Sequence, residues 1–143
     1  GGDAERGKQL VTNHAAAQCI RCHKLGKEGG NPSPELTIGP ELNRIGSQRD
    51  RRHLVASLLT PSSDISDGYG TVVLKTKEGE EVSGILSKKT DLFWTITLAN
   101  GKKRNLRPDE ISSHILASAM PPMGALLKPE EIRDMVEFLA SLK

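Results

Sequence analysis

The sequence predicts a mainly α-helical fold that carries a small antiparallel β-sheet as an insertion. Apolar residues recur at helical spacing near both ends of the chain and again over residues 51–60. Between residues 70 and 107 the apolar spacing changes to every second residue, which is typical of strands. A length of 143 residues fits one domain, so we expect a single domain over 1–143 with the β insertion at about 70–107.

Three helices are predicted from their boundary residues and their apolar faces. Asp3 is a suitable N-terminal cap for a first helix that runs through Val11. A second helix spans residues 51–60 and ends before Pro61. The last helix begins at Pro129 and has apolar residues at i, i+3, i+4 and i+7. This stripe consists of Ile132, Met135, Val136 and Leu139.

A sheet of three or four strands is predicted between these helical regions. Asn100-Gly101 indicates a two-residue hairpin turn, because both positions of such a turn favour positive φ. Helical character then returns, since Pro108 suits a first helical position and Ile111 and Ile115 lie one turn apart. Residues 26–34 are rich in Gly, Pro, Asn and Ser and are predicted to be loop.

The composition excludes some classes of function. The chain has 20 basic and 18 acidic residues, and this balance does not indicate nucleic-acid binding. No apolar run approaches the roughly 20 residues that span a bilayer. The chain opens with Gly1-Gly2-Asp3 and lacks the basic and apolar residues of a signal peptide, so we interpret it as a mature or excised piece. Aromatic residues make up only 3% of the sequence, which predicts a thin core.

Haem attachment is indicated by one short stretch, Cys19-Ile20-Arg21-Cys22-His23. Each thiol can add to one vinyl group of the porphyrin, and the adjoining histidine then serves as an axial ligand of the iron. A zinc site and a redox dithiol are the alternatives. There is no third cysteine, and His14, His53 and His114 show no paired ligand spacing. The pattern therefore favours one covalently attached haem c.

A second axial ligand of the iron is expected to be a methionine. Met135 lies on the apolar stripe of the last helix, where packing is its expected role. Met120 and Met123 flank two prolines, which make this loop extended and stiff enough to hold a sulfur atom in place. The residues alone leave Met120 and Met123 open, with His53 or His114 as a bis-histidine alternative.

The order of these motifs resembles class I cytochrome c, and the fuller pattern is similar to a narrower family, the Planctomycete/Verrucomicrobium-type haem-binding domain. The likeness covers nearly the whole chain. Besides the haem motif, it rests on Ile38-Gly39-Pro40-Glu41-Leu42, Ile45-Gly46, residues 54–61, Gly68-Tyr69, Ser118-Ala119-Met120-Pro121 and residues 131–142. The resemblance implies a class I cytochrome c fold, from whose ordinary members the β insertion is a departure.

The resemblance also implies roles for individual residues at the iron. Cys19 and Cys22 would bear the thioether bonds to a single haem c. His23 would be the proximal ligand and Met120 the distal one. The carbonyl of Pro40 would accept the other ring N–H of His23 and so fix the orientation of the imidazole.

One further role follows from the resemblance, away from the iron ligands, and the β insertion, which departs from it, has two possible roles. Gly7 would let the first helix cross closely against the last, near Phe138. The β insertion would either replace missing core or cover a haem edge or a partner surface. The candidate partners for a haem propionate are Arg44, Arg49, Tyr69 and Trp94.

These observations predict a one-electron transfer protein with a His/Met-ligated haem c, and not an enzyme in its own right. Members of the narrower family often carry this domain behind a larger dehydrogenase-like or β-propeller region. The resemblance thus implies a redox partner protein or a fused dehydrogenase domain, and bacterial haem attachment implies export to the periplasm. If no methionine binds the iron, the alternative is a five-coordinate haem c protein with peroxidase or gas-binding activity.

Overall fold

The computed structural model describes residues 1–29 and 39–143, and the chain divides into two compact units. Gly1–Asp64 and Met120–Lys143 form the first, called the helical unit, and Ile65–Ala119 form the second, called the sheet unit. The chain is 35% helical and 26% strand, and it contains a five-stranded antiparallel sheet. The prediction of a mainly α, class I cytochrome c fold with a small β insertion is therefore wrong.

The described part of the helical unit contains five α-helices, one 3₁₀ turn and one short hairpin. The helices are α1 (Ala4–Asn13), α2 (Cys19–Cys22), α3 (Ile45–Gln48), α4 (Arg51–Leu59) and α5 (Pro129–Ser141), and the 3₁₀ turn spans Met123–Ala125. The hairpin pairs β1 (Lys24–Leu25) with β2 (Glu28–Gly29), so the loop predicted over residues 26–34 is wrong for residues 28–29. Residues 30–38, which include Ile38 of the predicted motif, lie outside the described residues.

The three predicted helices are confirmed, with boundaries set by their caps. The Asp3 carboxylate accepts hydrogen bonds from two backbone N–H groups in the first turn of α1, both at 3.0 Å. Asp50 caps α4 in the same way, and α5 begins at Pro129 as expected. At 13 residues α5 is the longest, and among the described helices none has the length and apolarity to cross a bilayer.

The helical unit packs around the apolar stripe of α5. The stripe is buried as predicted, and Met135 at its centre is 0% exposed, which confirms a packing role for this methionine. Removal of these side chains from water is the main force that holds the unit together. The other members of the cluster outside α5 are Val11, Ala17, Leu42, Leu54, Leu58, Met123 and Leu127.

The helices α1 and α5 cross at very short distance because Gly7 faces the backbone of α5. A Cβ atom at this position would overlap the carbonyl oxygen of Asp134 and would lie 2.9 Å from Cβ of Phe138. A residue without a side chain is needed at such a contact. The predicted close crossing near Phe138 is therefore confirmed.

The same crossing buries a carboxylate, that of Asp134, which is 0% exposed. Its Oδ1 accepts a hydrogen bond from the backbone N–H of Asp3 at 2.9 Å, and its Oδ2 lies 3.6 Å from Nε of Arg6. Buried charges are stable only when they are paired and hydrogen-bonded. The carboxylate thus ties the start of α1 to α5, a role that the sequence analysis did not assign to it.

The sheet unit consists of five strands in the order β6-β5-β4-β3-β7, each antiparallel to its neighbours. They are β3 (Gly70–Thr76), β4 (Glu81–Lys89), β5 (Trp94–Thr97), β6 (Lys103–Leu106) and β7 (Ile111–Ser118). Burial alternates along β3, which confirms the period of two. One face carries the core, which consists of Val72, Leu74, Val82, Leu86, Trp94, Ile96 and Leu106. The sheet is confirmed, but it is larger than the three or four strands expected.

The additional strand, β7, lies where a helix was predicted. After a single 3₁₀ turn at Pro108–Glu110 the chain extends and pairs with β3, and Ile115 lies opposite Val73. The helix prediction is wrong because the spacing of four between Ile111 and Ile115 fits a period of 3.6 and a period of two equally well. Pairing with the distant β3 decides between the two conformations.

The turn at Asn100-Gly101 connects β5 to β6 as predicted, but it is wider than a two-residue turn. The backbone N–H of Leu98 donates to the carbonyl of Lys102 at 2.8 Å, so three residues, 99–101, form the loop between this pair. Of the two central residues only Gly101 has a positive φ, at 79°. The Asn100 side chain instead accepts a hydrogen bond from the N–H of Lys102 at 2.9 Å.

The sheet curls strongly, as a contact between two of its strands shows. Trp94 lies on β5 and His114 on β7, and two strands separate them. In a flat sheet these strands would be about 14 Å apart. Their ring centroids are nevertheless 4.8 Å apart, with the planes at 82°. Trp94, at 7% exposure, therefore helps to close the core of the curled sheet.

Candidate haem-attachment site

The predicted attachment residues lie on a single helical turn, α2. Gln18 precedes this turn in the left-handed region at φ 43°, and the backbone N–H of His23 donates to the carbonyl of Cys19 at 2.9 Å where the turn ends. Residues three apart in a helix share a face, so Cys19 and Cys22 are neighbours. Both thiols are free and half-buried.

Burial is the main reason that the pKa of the Cys19 thiol is raised; a backbone hydrogen bond opposes the shift, and the neighbouring Cys22 adds to it. Disulfide oxidoreductases with a Cys-x-x-Cys pair depend on a thiol whose pKa is lowered. The shift at Cys19 has the opposite direction. The site is therefore a poor match for the redox-dithiol alternative.

The imidazole of His23 is held by one hydrogen bond to the chain. Its Nδ1 lies 2.7 Å from the carbonyl oxygen of Pro40, which confirms the contact that was predicted between them. A carbonyl oxygen only accepts hydrogen bonds, so Nδ1 carries the proton and Nε2 keeps its lone pair. Burial lowers the pKa of His23, against a smaller opposing effect of the bond to Pro40, so the neutral ring is favoured.

Gly39 provides the space that the His23 ring occupies. A Cβ atom on Gly39 would lie 2.7 to 3.0 Å from Cε1, Nδ1 and Nε2 of the ring, closer than side-chain contacts allow. Nearby, the backbone N–H of Leu42 donates to the carbonyl of Lys24 at 2.9 Å and holds the segment after Gly39 against the residue that follows His23. Gly39 belongs to a predicted motif, but its packing against His23 depends on the fold and was not predicted.

The two candidate methionines differ in their surroundings. Met123 starts the 3₁₀ turn and is 2% exposed within the core cluster of the helical unit. Met120 is half-buried and packs against the margin of that cluster, as does Cys19. The structure therefore brings Cys19 and Met120 to the border of one apolar cluster, and it assigns Met123 to the interior.

The remaining candidates have other neighbours. His53 lies 3.7 Å from Asp64 in the helical unit, and His114 packs its ring against Trp94 in the sheet unit. Of the proposed propionate partners, Trp94 is core, Tyr69 is half-buried, and Arg44 and Arg49 are exposed. Within residues 1–29 and 39–143, no three His, Cys, Asp or Glu side chains gather as ligands for a metal ion.

Comparison with protein families gives no match, and comparison with curated proteins gives no significant relative. The assignment of this site therefore rests on the chemistry of its own residues. These are two adjacent thiols, a neutral imidazole with one nitrogen engaged, and a thioether at the border of the same apolar cluster.

Proposed function

We propose that the helical unit holds one haem c covalently and that the protein transfers single electrons. Cys19 and Cys22 would bear the thioether bonds, Nε2 of His23 would bind the iron on one side, and the sulfur of Met120 would bind it on the other. When bound, haem c supplies a one-electron couple between ferrous and ferric iron. A thioether is a soft, neutral ligand that favours the ferrous state.

The orientation of His23 carries the proposal. An axial histidine must be neutral, must offer one nitrogen, and needs a partner on the other nitrogen to fix its ring. The bond from Nδ1 to the Pro40 carbonyl at 2.7 Å meets the last two conditions, and burial favours the first. Gly39 leaves the ring the space that a Cβ atom at this position would occupy.

The surroundings of the methionines support Met120 as the distal ligand. Transfer of Met123 out of the core would expose apolar surface and leave a cavity, which commonly costs about 2–5 kcal/mol for a buried methionine. Met120 already lies at the border of the cluster and would lose less packing. Two protein ligands would saturate the iron and restrict the site to electron transfer.

The proposal also includes a redox partner and a cellular location. Its partner would be a redox protein or a fused dehydrogenase domain, to which the helical unit would act as electron acceptor. Covalent attachment of haem would take place in an exported, periplasmic location. In this proposal the helical unit would only accept and pass on electrons, and catalysis would belong to the partner.

The test is an absorption spectrum of protein from cells with haem-attachment machinery, compared with Met120→Leu and Met123→Leu. Both changes conserve side-chain volume, so Met123→Leu is a matched control. We expect a low-spin spectrum in the parent, with a weak near-red sulfur-to-iron band that only Met120→Leu abolishes. Loss of the band in Met123→Leu alone would move the ligand and keep the function.

Two outcomes would contradict the proposal. A high-spin parent that binds carbon monoxide at once would replace electron transfer by a five-coordinate peroxidase or gas-binding protein. A colourless product would remove haem altogether. As a second check on His23, Gly39→Ala is expected to disturb the ring and reduce the yield of haem-loaded protein, whereas Gly124→Ala, whose added Cβ would meet only the flexible end of Leu59 at 3.2 Å, is expected to leave it unchanged.

A further inference from the structure

The edge strand β7 is exposed along most of its length. It is the last strand of the five, and no other described strand pairs with its outer side. Six consecutive residues, 112–117, are exposed, and Ile115 reaches 72%. Strand edges present unpaired N–H and C=O groups and so favour pairing with a further strand.

The opposite edge of the sheet shows how such pairing is usually prevented. Strand β6 has only four residues, and two of them, Lys103 and Arg104, are basic. Lys102 and Arg107 flank it. Short length and positive charge are common means of blocking edge-to-edge association. Strand β7 has eight residues and contains neither a charged residue nor a proline, so it has none of this protection.

An apolar patch accompanies the open edge. Ile115 on β7 lies directly opposite Val73 on β3, so both side chains project from the same face of the sheet. Val73 is 40% exposed and Ile115 is 72% exposed. Pairing of a further strand with β7 would cover part of this patch and would satisfy the outer backbone groups together.

We propose that β7 pairs antiparallel with β7 of a second copy of this chain, and that the two sheets join into one. This inference rests on the sheet unit and is independent of the proposed electron transfer. A second copy fits because the strand is neutral from Ile111 to Ser118, so two copies place no like charges opposite each other. Addition of a strand to an exposed edge is a common mode of association.

The side-chain pattern favours one register. Opposite residues in an antiparallel pair share a face, so a two-fold axis at Ile115 sets Ile115 against its own counterpart. Ser113 then lies opposite Ala117, and His114 lies opposite Leu116. All of these residues are exposed in the single chain, so the pairing would remove their side chains from water.

The dimer is expected to be weak. A single pair of strands buries less than the roughly 1,200 Å² typical of stable specific interfaces. Association would therefore depend on concentration in the micromolar range or above. We would measure it by sedimentation velocity of the full chain from about 1 µM to 1 mM, a range chosen to span such affinities.

Ile115→Lys and Leu92→Lys form a matched pair for this test. Leu92 is 76% exposed in the same unit but lies outside every strand, so its substitution adds the same charge away from β7. We expect Ile115→Lys to weaken association about tenfold or more, because it sets two lysines opposite each other. Leu92→Lys should associate like the parent.

Hydrogen exchange of the unmodified chain provides a test without substitution. The amides of residues 112–117 should become better protected as concentration rises, while those of β6 should not change. A protein that stays monomeric up to the highest concentration overturns the proposal. The candidate partner for this edge would then be a strand of another protein. A dimer that Ile115→Lys does not weaken overturns it too, since the interface then lies elsewhere.

Discussion

The helical unit and the sheet unit are each stabilised internally by a different kind of contact. In the helical unit the central contact joins α1 to α5, the first and last helices of the chain, through the glycine at position 7 and the buried carboxylate of Asp134. In the sheet unit, four of the five strands pair in the order in which they follow one another. The helical unit therefore depends on contacts between segments that are distant in the sequence, and the sheet unit mainly on contacts between consecutive strands.

The candidate site residues all lie in one of the two units. Cys19, Cys22, His23 and Met120 all belong to the helical unit, whose close helix crossing and buried loop segments can position side chains. The sheet unit contributes a self-contained core around Trp94. Function commonly occupies a small set of residues on a larger framework. In this protein the candidate site lies in the unit whose central contact joins segments that are distant in the sequence.

The largest expected effect concerns the core of the sheet unit. Leu74 is 1% exposed, and Leu74→Ala should destabilise this unit by about 2–5 kcal/mol through lost burial and a residual cavity. Its neighbour Val73 projects from the other face and is 40% exposed, so Val73→Ala is a matched control with a loss below about 1 kcal/mol. Denaturant unfolding followed by fluorescence of Trp94, the only tryptophan, measures both.

This pair of variants tests whether the two units unfold independently of each other. If helical circular dichroism keeps its unfolding midpoint in Leu74→Ala while the Trp94 transition moves, the units unfold separately. A common shift of both signals would show that they unfold as one and would remove the contrast drawn above.

A smaller effect, in the other unit, is expected for Gly7→Ala. The new methyl group would overlap the backbone of α5, which cannot move aside as a flexible side chain can, and the loss should be about 2–3 kcal/mol. Helical circular dichroism during denaturant unfolding is the measurement. Gly124→Ala serves as the control. An unchanged midpoint in Gly7→Ala would mean that the helices do not cross as closely as described.

The smallest effect is a difference in acid sensitivity. The backbone N–H of Asp3, with further help from Arg133 and Arg6, holds the pKa of Asp134 below its usual value against the opposing effect of burial. The folded state therefore binds a proton less readily than the unfolded state. This contribution is fully present above the unfolded pKa of about 3.9 and is lost as pH falls through the lower folded pKa.

The sheet unit provides the contrast for this acid effect. Arg104 lowers the pKa of Glu80, but this pair is solvent-exposed and contributes little to stability. Thermal unfolding at a series of pH values should thus show the helical signal weakening before the Trp94 signal. Asp134→Asn should flatten the acid limb of the helical signal. Parallel acid loss in the parent and in Asp134→Asn would assign the effect to other groups.

Sequence patterns with a local cause were predicted well. The cap at Asp3, the apolar stripe of α5 and the period of two in β3 each depend on neighbouring residues, and the structure confirms them. The contact between His23 and Pro40 and the close crossing at Gly7 were expected from a resemblance of motifs and are also present. The identity of the cofactor and the choice of Met120 stay predictions.

Features that depend on distant partners could not be predicted. Strand β7 has a spacing that suits a helix as well as a strand, and only β3, far away in the chain, decides its conformation. The role of Asp134 depends on an N–H group 131 residues away. The mainly α fold class failed for the same reason, because the size of a sheet is set by which strands find each other.

The pairing of α1 with α5 has a consequence for the order in which the protein is made. Synthesis proceeds from the N-terminus, so α1 and the Cys19–His23 stretch exist long before residues 129–141, which cover α1 in the finished fold. Strands β3 to β6 each meet their next partner after only a short turn. The face of α1 that carries Gly7 and Val11 is thus left without its partner until residues 129–141 have been made, whereas the sheet can form strand by strand.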